Sequence, residues 1–178
     1  CHTRRQRQMC IRDRYNNQLV LTGALDDVGE YLRENVDKSY RLGLELDATL
    51  FLSDQFSLNS NLAVSRNKIQ DLTIDRDGSL QNLGDTNIAF SPDLITTHAL
   101  EYTPNSKFRA ALIGKYVGEQ YMSNTDTEAS KLDSYFVTDL NFSYVLPLKT
   151  VFKSVVFTGM VNNLLDLEYE DRGYTYLD

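Results

Sequence analysis

The feature that most constrains the fold is a strict alternation of apolar and polar residues that begins at Tyr40. Every second residue from Tyr40 to Leu52 is apolar, and the residues between them are charged, polar or glycine, with Phe51 as the exception. This is the period of two residues that a β-strand with one apolar and one polar face requires. A helix would not collect the same leucines on one side, so the alternation predicts a strand.

The same alternation recurs along the chain and predicts an all-β fold of about seven long strands. Several of them exceed the 5 to 6 or so residues of an ordinary globular strand and reach the roughly 9 to 11 that a tilted strand needs to cross a bilayer. The predicted strands are Tyr15–Leu21, Tyr40–Leu52, Phe56–Asn67, Leu94–Tyr102, Phe108–Glu119, Phe136–Leu146 and Val151–Val161.

The connections alternate between short turns and long polar loops. Turn-forming residues predict short turns at Ser53–Gln55, Pro104–Ser106 and Pro147–Lys149. Long loops are predicted at 22–39, 70–92 and 123–133, with a fourth that begins near Leu165. This arrangement is typical of an antiparallel transmembrane β-barrel segment with short periplasmic turns and long extracellular loops. A soluble β-sandwich is the alternative, although sandwiches favour shorter strands.

The alternation also assigns faces, because a charge on the lipid face at the bilayer midplane costs a few kcal/mol. We expect the leucine face to contact lipid and a set of charged residues to face a wet lumen: Glu45, Asp47, Arg109, Lys115 and Asp139. Aromatic residues near the strand ends are expected to anchor at the headgroups: Tyr40, Tyr102, Phe108 and Tyr144. His98 shares the parity of Leu100, so either its strand is bulged or it lies outside the bilayer core.

Residues 1–14 differ from the rest of the chain. They hold both cysteines and five of the 18 basic residues, but only one of the 25 acidic residues. The string QRQMCIRDR resembles translated sequencing-adapter sequence, so we expect 1–14 to be a non-native head that lies outside the fold. The alternative is a basic arm that binds nucleic acid or anionic lipid; we expect no nucleic-acid partner.

Four segments in order along residues 15–178 carry a resemblance to a known family. They are NVDKSYRLGLE at 35–45, AFSP at 89–92 with LEYTP at 100–104, KYVGEQY at 115–121, and VNNLLD at 161–166. Together they resemble the C-terminal part of the β-barrel of TonB-dependent outer-membrane receptors. The last segment is similar to the family pattern VNNLFD, with Leu165 in place of the usual Phe.

The resemblance implies a 22-stranded barrel in a Gram-negative outer membrane, closed by an N-terminal plug. Such a receptor imports a scarce ligand, such as a ferric siderophore, cobalamin or an oligosaccharide, with energy from the TonB complex that acts through the plug. The seven strands would correspond to strands 15–21, so that the plug, the TonB box and the last strand are missing. A plugless porin is the second possibility. The expected partners are outer-membrane lipid, the TonB complex and an unidentified small molecule.

In a transporter of this kind, the long loops and the upper lumen would contact the ligand. The candidate residues are Arg76, Asp77, Asn82, Tyr121, Met122, Asn124, Asp126, Tyr174 and Tyr176. Acidic residues are frequent in these loops, which does not favour an anionic ligand. After the head, His98 is the only histidine and no cysteine remains, so no Ser-His-Asp or Cys-His arrangement can form. We expect no enzymatic activity, no cofactor and no metal site.

Overall fold

The computed structural model describes residues 5–76, 78–148 and 153–175, and their long strands form one antiparallel sheet. The strands are β1 (Arg5–Leu25), β2 (Tyr31–Phe51), β3 (Phe56–Arg76), β4 (Ser79–Asn87), β5 (Leu94–Asn105), β6 (Phe108–Val117), β7 (Gln120–Tyr121), β8 (Lys131–Leu132), β9 (Tyr135–Pro147) and β10 (Ser154–Val161). The order across the sheet is β1-β2-β3-β5-β6-β9-β10, with β4 paired to the outer end of β3. The predicted all-β, antiparallel barrel segment is confirmed, and the sheet is open at both edges.

Three short elements of the described residues lie outside this sheet: two strands and one 3₁₀ turn. The short strands β7 and β8 pair with each other, and a single 3₁₀ turn at Glu128–Ser130 lies between them. Within the described ranges, no helix is long and apolar enough to cross a membrane.

The register of the strands separates an apolar face from a polar face. The apolar face carries the even-numbered residues of β2, β3, β5, β6 and β9 from Tyr40 to Tyr144, because each pairing joins even to even. Leu50, for example, lies opposite Leu58, and Leu58 lies opposite Leu100. The odd-numbered residues form the polar face. As predicted, the charged residues Glu45, Asp47, Arg109, Lys115 and Asp139 all lie on it.

Aromatic side chains border the apolar face at its turn end. The rings of Phe56 and Tyr102 stack with centroids 4.6 Å apart, and the ring of Phe108 meets that of Tyr102 edge-on at 6.4 Å. Tyr144 lies opposite Phe108, so three of the four predicted anchors lie where expected. Tyr40 is the exception: it lies in the middle of β2, because that strand begins at Tyr31.

His98 lies on the apolar face, and of the two predicted alternatives the bulged strand is wrong. The register between β3 and β5 is unbroken from Phe56–Tyr102 to Val64–Leu94. The imidazole hydrogen-bonds to two hydroxyls on the same face, that of Ser60 at 2.6 Å and that of Thr96 at 2.9 Å. Both ring nitrogens therefore have partners, which lowers the cost of a polar group among leucines.

The strands extend beyond their predicted ends, so that most of the expected loops at 22–39 and 70–92 are strand. Alternation stops there: Val36 and Ser39 are both buried, as are Ile69 and Leu72. Asp71, between the latter two, has a φ of 51°, and the β3–β4 register shifts at this point. A bulge of this kind bends a strand and changes which side chains face inward. The residues on either side of the bulge belong to the apolar core, which consists of Val20, Val36, Ile69, Leu72 and Ile88.

The short turns follow the prediction with small shifts. Ser53 begins the β2–β3 turn as expected, and its hydroxyl accepts hydrogen bonds from the amides of Gln55 and Phe56. At the second turn, Asn105 still belongs to β5 and its side chain accepts from the amide of Lys107 at 2.9 Å. Pro147 ends β9, whereas Lys149 lies outside the described residues.

Residues 5–14 were expected to lie outside the fold, but they extend β1 and pair with β2. Their side-chain pattern is inverted, however. The register places Gln8 opposite Leu46 and Arg12 opposite Leu42 on the apolar face, whereas Ile11 lies opposite Gly43 on the polar face. Backbone pairing joins this stretch to β2, although the side chains of Gln8, Ile11 and Arg12 do not match the faces on which they lie. That 1–14 is a non-native head remains a prediction.

Candidate functional site

A cavity of about 980 Å³ lies at the loop end of the sheet. Its walls are the outer ends of β1, β2 and β3 and the segment 123–130, and the apolar side chains of Val36, Ile69 and Leu72 contribute to its lining. The charged residues that line it are Glu34, Asp37, Asp71, Asp75 and Arg76. Four acids against one base give this cavity a negative potential, which favours neutral or cationic groups over anionic ones.

Asn124 connects three walls of the cavity. Its side-chain amide donates to the carbonyl of Leu21 at 2.9 Å and to the carboxylate of Glu34 at 3.2 Å, and its oxygen accepts from the amide of Ala89 at 2.9 Å. The residue is 2% exposed. A buried amide with these partners is occupied by the protein itself, so Asn124 shapes the cavity as part of its frame.

Asp126 holds the same segment against the end of β4. Its carboxylate accepts the backbone amide of Asn87 at 2.9 Å and the side-chain amide of Asn87 at 3.0 Å. The residue has a φ of 54°, a conformation that aspartate tolerates better than most side chains. Both oxygens are in use, since the backbone amide reaches the second one at 3.0 Å.

The segment that follows β10 returns across the loop end to the first hairpin. The amide of Thr175 donates to the carbonyl of Gly23 at 2.9 Å, and the hydroxyl of Tyr31 donates to the carbonyl of Gly173 at 2.9 Å. The ring of Tyr169 stacks on that of Tyr135, with centroids 4.5 Å apart. Tyr174 and Thr175 thereby line the cavity from the side opposite β3.

The VNNLLD segment makes the turn from which this return begins. Asn163 has a φ of 50°, and its side chain both accepts from the amide of Leu167 at 3.1 Å and donates to the carbonyl of Leu167 at 2.9 Å. Its own backbone amide donates to the carboxylate of Asp139 at 2.8 Å. The turn is thus fixed to the polar face of β9 by a charge-assisted hydrogen bond.

Further down, the polar face carries a row of hydrogen-bonded side chains. Thr49 donates to Asn59 at 2.8 Å, Asn59 donates to Glu101 at 3.1 Å, and Glu101 forms an ion pair with Arg109 at 2.7 Å. A shallower hollow of about 420 Å³ lies beside this row and is lined by Asp47 and its neighbours. These groups are partners of one another, and the charges of Glu101 and Arg109 neutralise each other.

Outside the sheet, an ion pair joins the two ends of the β7–β8 segment. Lys131 lies 3.0 Å from the carboxylate of Glu119. The hydrogen bond and the charge of Glu119, together with the charge of Glu128, raise the pKa of Lys131 above its ordinary value of 10.5. The lysine is therefore fully protonated at neutral pH.

The nine predicted ligand residues separate into groups. Arg76, Asn124 and Tyr174 line the large cavity, whereas Tyr121 lines a smaller one of about 320 Å³. Met122 packs its side chain against Gly173. Asn82 accepts the amide of Gly84 at 2.7 Å in the exposed β4 hairpin. Asp77 and Tyr176 lie outside the described residues. Direct contact of any of these with a ligand remains a prediction.

The acidic wall that β2 contributes to the cavity was not predicted from the sequence. Glu34 and Asp37 lie in the stretch that was predicted to be loop, and both line the cavity. The break in alternation between Val36 and Ser39 is the signal that could have identified them, because it marks where the strand turns a different face inward. In the part of the chain that the structure describes, no three His, Cys, Asp or Glu side chains come together as a metal site would require.

A sheet with one apolar face, one polar face and a cavity at its loop end has the architecture of the wall of an outer-membrane-type β-barrel. Residues 12–164 match the family described as TonB dependent receptor-like, β-barrel. The chain belongs to this family.

Solved structures show the same fold. The siderophore receptor PiuA from Acinetobacter baumannii is similar with a TM-score of 0.68 and 19% identity, over 96% of this chain and 23% of PiuA. The copper transporter OprC is similar with a TM-score of 0.66 and 18% identity, over 95% of this chain and 24% of OprC. The ferric-catecholate import receptor Fiu from K12 E. coli is similar with a TM-score of 0.62 and 16% identity, over 93% of this chain and 21% of Fiu.

The chain thus spans about a quarter of the length of these structures. No protein of curated function matches its sequence. The solved proteins are receptors and transporters rather than enzymes, in keeping with the expectation from the sequence.

Proposed function

We propose that this chain forms part of the barrel wall and the extracellular loops of an outer-membrane receptor that imports a scarce ligand with energy supplied through TonB. Membership of the receptor family supports the outer-membrane setting. The observation that carries the proposal is the cavity of about 980 Å³ at the loop end, where the segments 123–130 and 173–175 close over the ends of β1–β3.

The ligand would be a siderophore complex, cobalamin or an oligosaccharide, bound with its polar groups against the acidic wall. PiuA is described as a siderophore receptor and Fiu as a ferric-catecholate import receptor, which supports the first of these classes. The charge of the cavity constrains the choice further. Glu34, Asp37, Asp71 and Asp75 repel an anionic complex, so the ligand should be neutral or cationic where it meets β2 and β3.

Uptake by cells that express the intact receptor gene tests the proposal. A host that lacks its own receptors is loaded with ⁵⁵Fe-siderophores of different charge, labelled cobalamin or labelled oligosaccharides, with and without functional TonB. Uptake that requires TonB supports the energised receptor. Uptake or bilayer conductance that is unchanged without TonB would identify a plugless porin instead.

Two variants then test the cavity itself. Asp75→Asn should weaken binding of a neutral or cationic ligand, whereas Arg76→Gln should weaken binding of an anionic one. Arg33→Gln is the matched control, because Arg33 is an exposed residue of β2 that does not line the cavity. If neither cavity variant changes the Kd of a TonB-dependent ligand, the ligand binds elsewhere in the receptor.

A further inference from the structure

Two basic residues end the apolar face at its upper border. Arg66 and Lys68 are consecutive even-numbered residues of β3, and they follow Leu62 and Val64 on the same face. On β2, Leu42 lies opposite Arg66 and Tyr40 lies opposite Lys68. We call Tyr40, Arg66 and Lys68 the border patch. It lies on the outward side of the sheet, since its neighbours below are the leucines of the apolar face.

The distance from the turn-end aromatics places the border patch at the far edge of a bilayer. Ten steps along β3 separate Phe56 from Arg66. With a rise of about 3.4 Å per residue and a tilt of about 45°, these steps span about 24 Å of membrane depth. An outer-membrane barrel has an apolar band about 25 Å tall. Arg66 therefore lies at the level of the headgroups, on the side of the extracellular loops.

Within the described ranges, neither Arg66 nor Lys68 forms an ion pair or a side-chain hydrogen bond with the protein. The two ion pairs among the described residues are Arg109–Glu101 and Lys131–Glu119. In contrast, Arg41 lies at the same height on the polar face and hydrogen-bonds to Asn67 and to Ser91, each at 3.4 Å. The cation on the inner side thus has protein partners, whereas the two on the outer side do not.

We propose that Arg66 and Lys68 bind the phosphate groups of a phosphorylated lipid in the outer leaflet, with the ring of Tyr40 at the boundary between headgroup and acyl chains. Two cations about 7 Å apart along one strand suit two phosphate groups of one headgroup. The guanidinium can hold a phosphate through two hydrogen bonds, and the ammonium supplies a point charge. The apolar face below the patch would hold the acyl chains of the same lipid. This inference rests on the membrane placement in the proposed function.

Arg12 and Arg14 occupy the same two rows on β1, opposite Leu42 and Tyr40. They belong to the stretch that is predicted to be a non-native head, so the proposal depends on β3 alone. The two sources of charge can be separated by mutation.

Native mass spectrometry of the intact receptor, purified in a neutral detergent and titrated with bis-phosphorylated lipid A, tests the proposal. The double variant R66Q/K68Q should bind this lipid about tenfold more weakly than the parent, because it loses two charge-assisted hydrogen bonds to phosphate that detergent and water replace only in part. R41Q is the matched control and should bind as the parent does. Lipid A without phosphates should bind weakly to all three proteins, and inorganic phosphate should not compete.

Several outcomes would overturn the proposal. Equal lipid binding by R66Q/K68Q and the parent would overturn it. So would a loss of binding that appears only in R12Q/R14Q, or equal binding of lipid A with and without its phosphates. The proposed function fails separately: a chain that does not span a membrane would show no lipid binding in any variant, and TonB-dependent uptake would be absent. Retained uptake with no loss in R66Q/K68Q would reject the lipid site alone.

Discussion

The carboxylate of Asp126 accepts hydrogen bonds from both amide donors of Asn87, the backbone N–H at 2.9 Å and the side-chain NH₂ at 3.0 Å. Asn87 is the last residue of β4, so this contact fixes the segment 123–130 to the end of the hairpin that extends β3. Two residues earlier in the same segment, Asn124 hydrogen-bonds to Leu21 and Ala89. Two predicted ligand residues therefore have a common role in holding the cavity in shape.

Replacement of Asp126 by alanine should release the segment 123–130. The amides of Asn87 would lose their acceptor, which costs about 1–3 kcal/mol for partly buried groups. Hydrogen exchange of the amides of Asn87 and of 123–130 should accelerate, and limited proteolysis should cut there first. Asp133→Ala is the control, because Asp133 is exposed and makes no hydrogen bond or ion pair within the described ranges. Equal exchange in both variants would show that the contact does not hold the segment.

The two faces of β6 should respond oppositely to a lysine. Leu112 lies on the apolar face, four residues from Phe108, and Ala111 lies on the polar face opposite Glu101. Leu112→Lys should lower the free energy of unfolding of the intact barrel in lipid by about 2–4 kcal/mol. Ala111→Lys should change it by no more than about 0.5 kcal/mol. Urea unfolding in vesicles measures both, and a similar loss in the two variants would contradict the assigned faces.

Asn163 should tolerate glycine better than alanine. Alanine at a φ of 50° is strained and loses both hydrogen bonds to Leu167, at a combined local cost of about 1–3 kcal/mol. Glycine loses the hydrogen bonds but adopts this φ without strain. Hydrogen exchange of the Thr175 amide, which donates to the carbonyl of Gly23, should accelerate in the order parent, N163G, N163A. Asn162→Ala, at an exposed site without a hydrogen bond in the described part of the chain, should match the parent.

The β7–β8 segment should loosen only in strong alkali. Glu119 raises the pKa of Lys131, so the ion pair stabilises the segment fully below the ordinary lysine pKa of 10.5 and is lost as the pH rises through the higher value. Hydrogen exchange at 120–132, corrected for its intrinsic pH dependence, should be constant from pH 6 to pH 9 and accelerate above about pH 10.5. Lys131→Gln should remove the alkaline step, and an unchanged step in that variant would assign it to another group.

The membrane-facing part of the fold could be predicted from the sequence because lipid imposes one simple rule there. Leu42, Leu44 and Leu46 alternate with polar residues, and the structure places them on one face as that rule requires. The same rule was insufficient at His98, where it left two alternatives, a bulged strand or a position outside the bilayer core. The hydroxyls of Ser60 and Thr96 bond the imidazole instead, and such cross-strand partners do not appear in the pattern of one strand.

The part of the fold at the loop end could not be predicted from the sequence, because its side chains are not all exposed to the same surroundings. Val36 and Ile69 are buried against Val20, Leu72 and Ile88 rather than by lipid, so their spacing depends on contacts distant in the sequence. The candidate site shows the same limit. Arg76 was found because it lies in a polar stretch, whereas Glu34 and Asp37 line the cavity because β2 extends through a stretch that was predicted to be a loop.

The bulge at Asp71 divides β3 into two parts that can diverge independently. An insertion of one residue between Phe56 and Ile69 would exchange every leucine with its polar neighbour, and the membrane wall would be lost. Beyond Asp71 the register has already shifted, and the hairpin ends at Gly78 in open space. Additions and deletions there would change only the lining of the cavity. Descendants of one gene could thus acquire new ligands while inheriting the same wall.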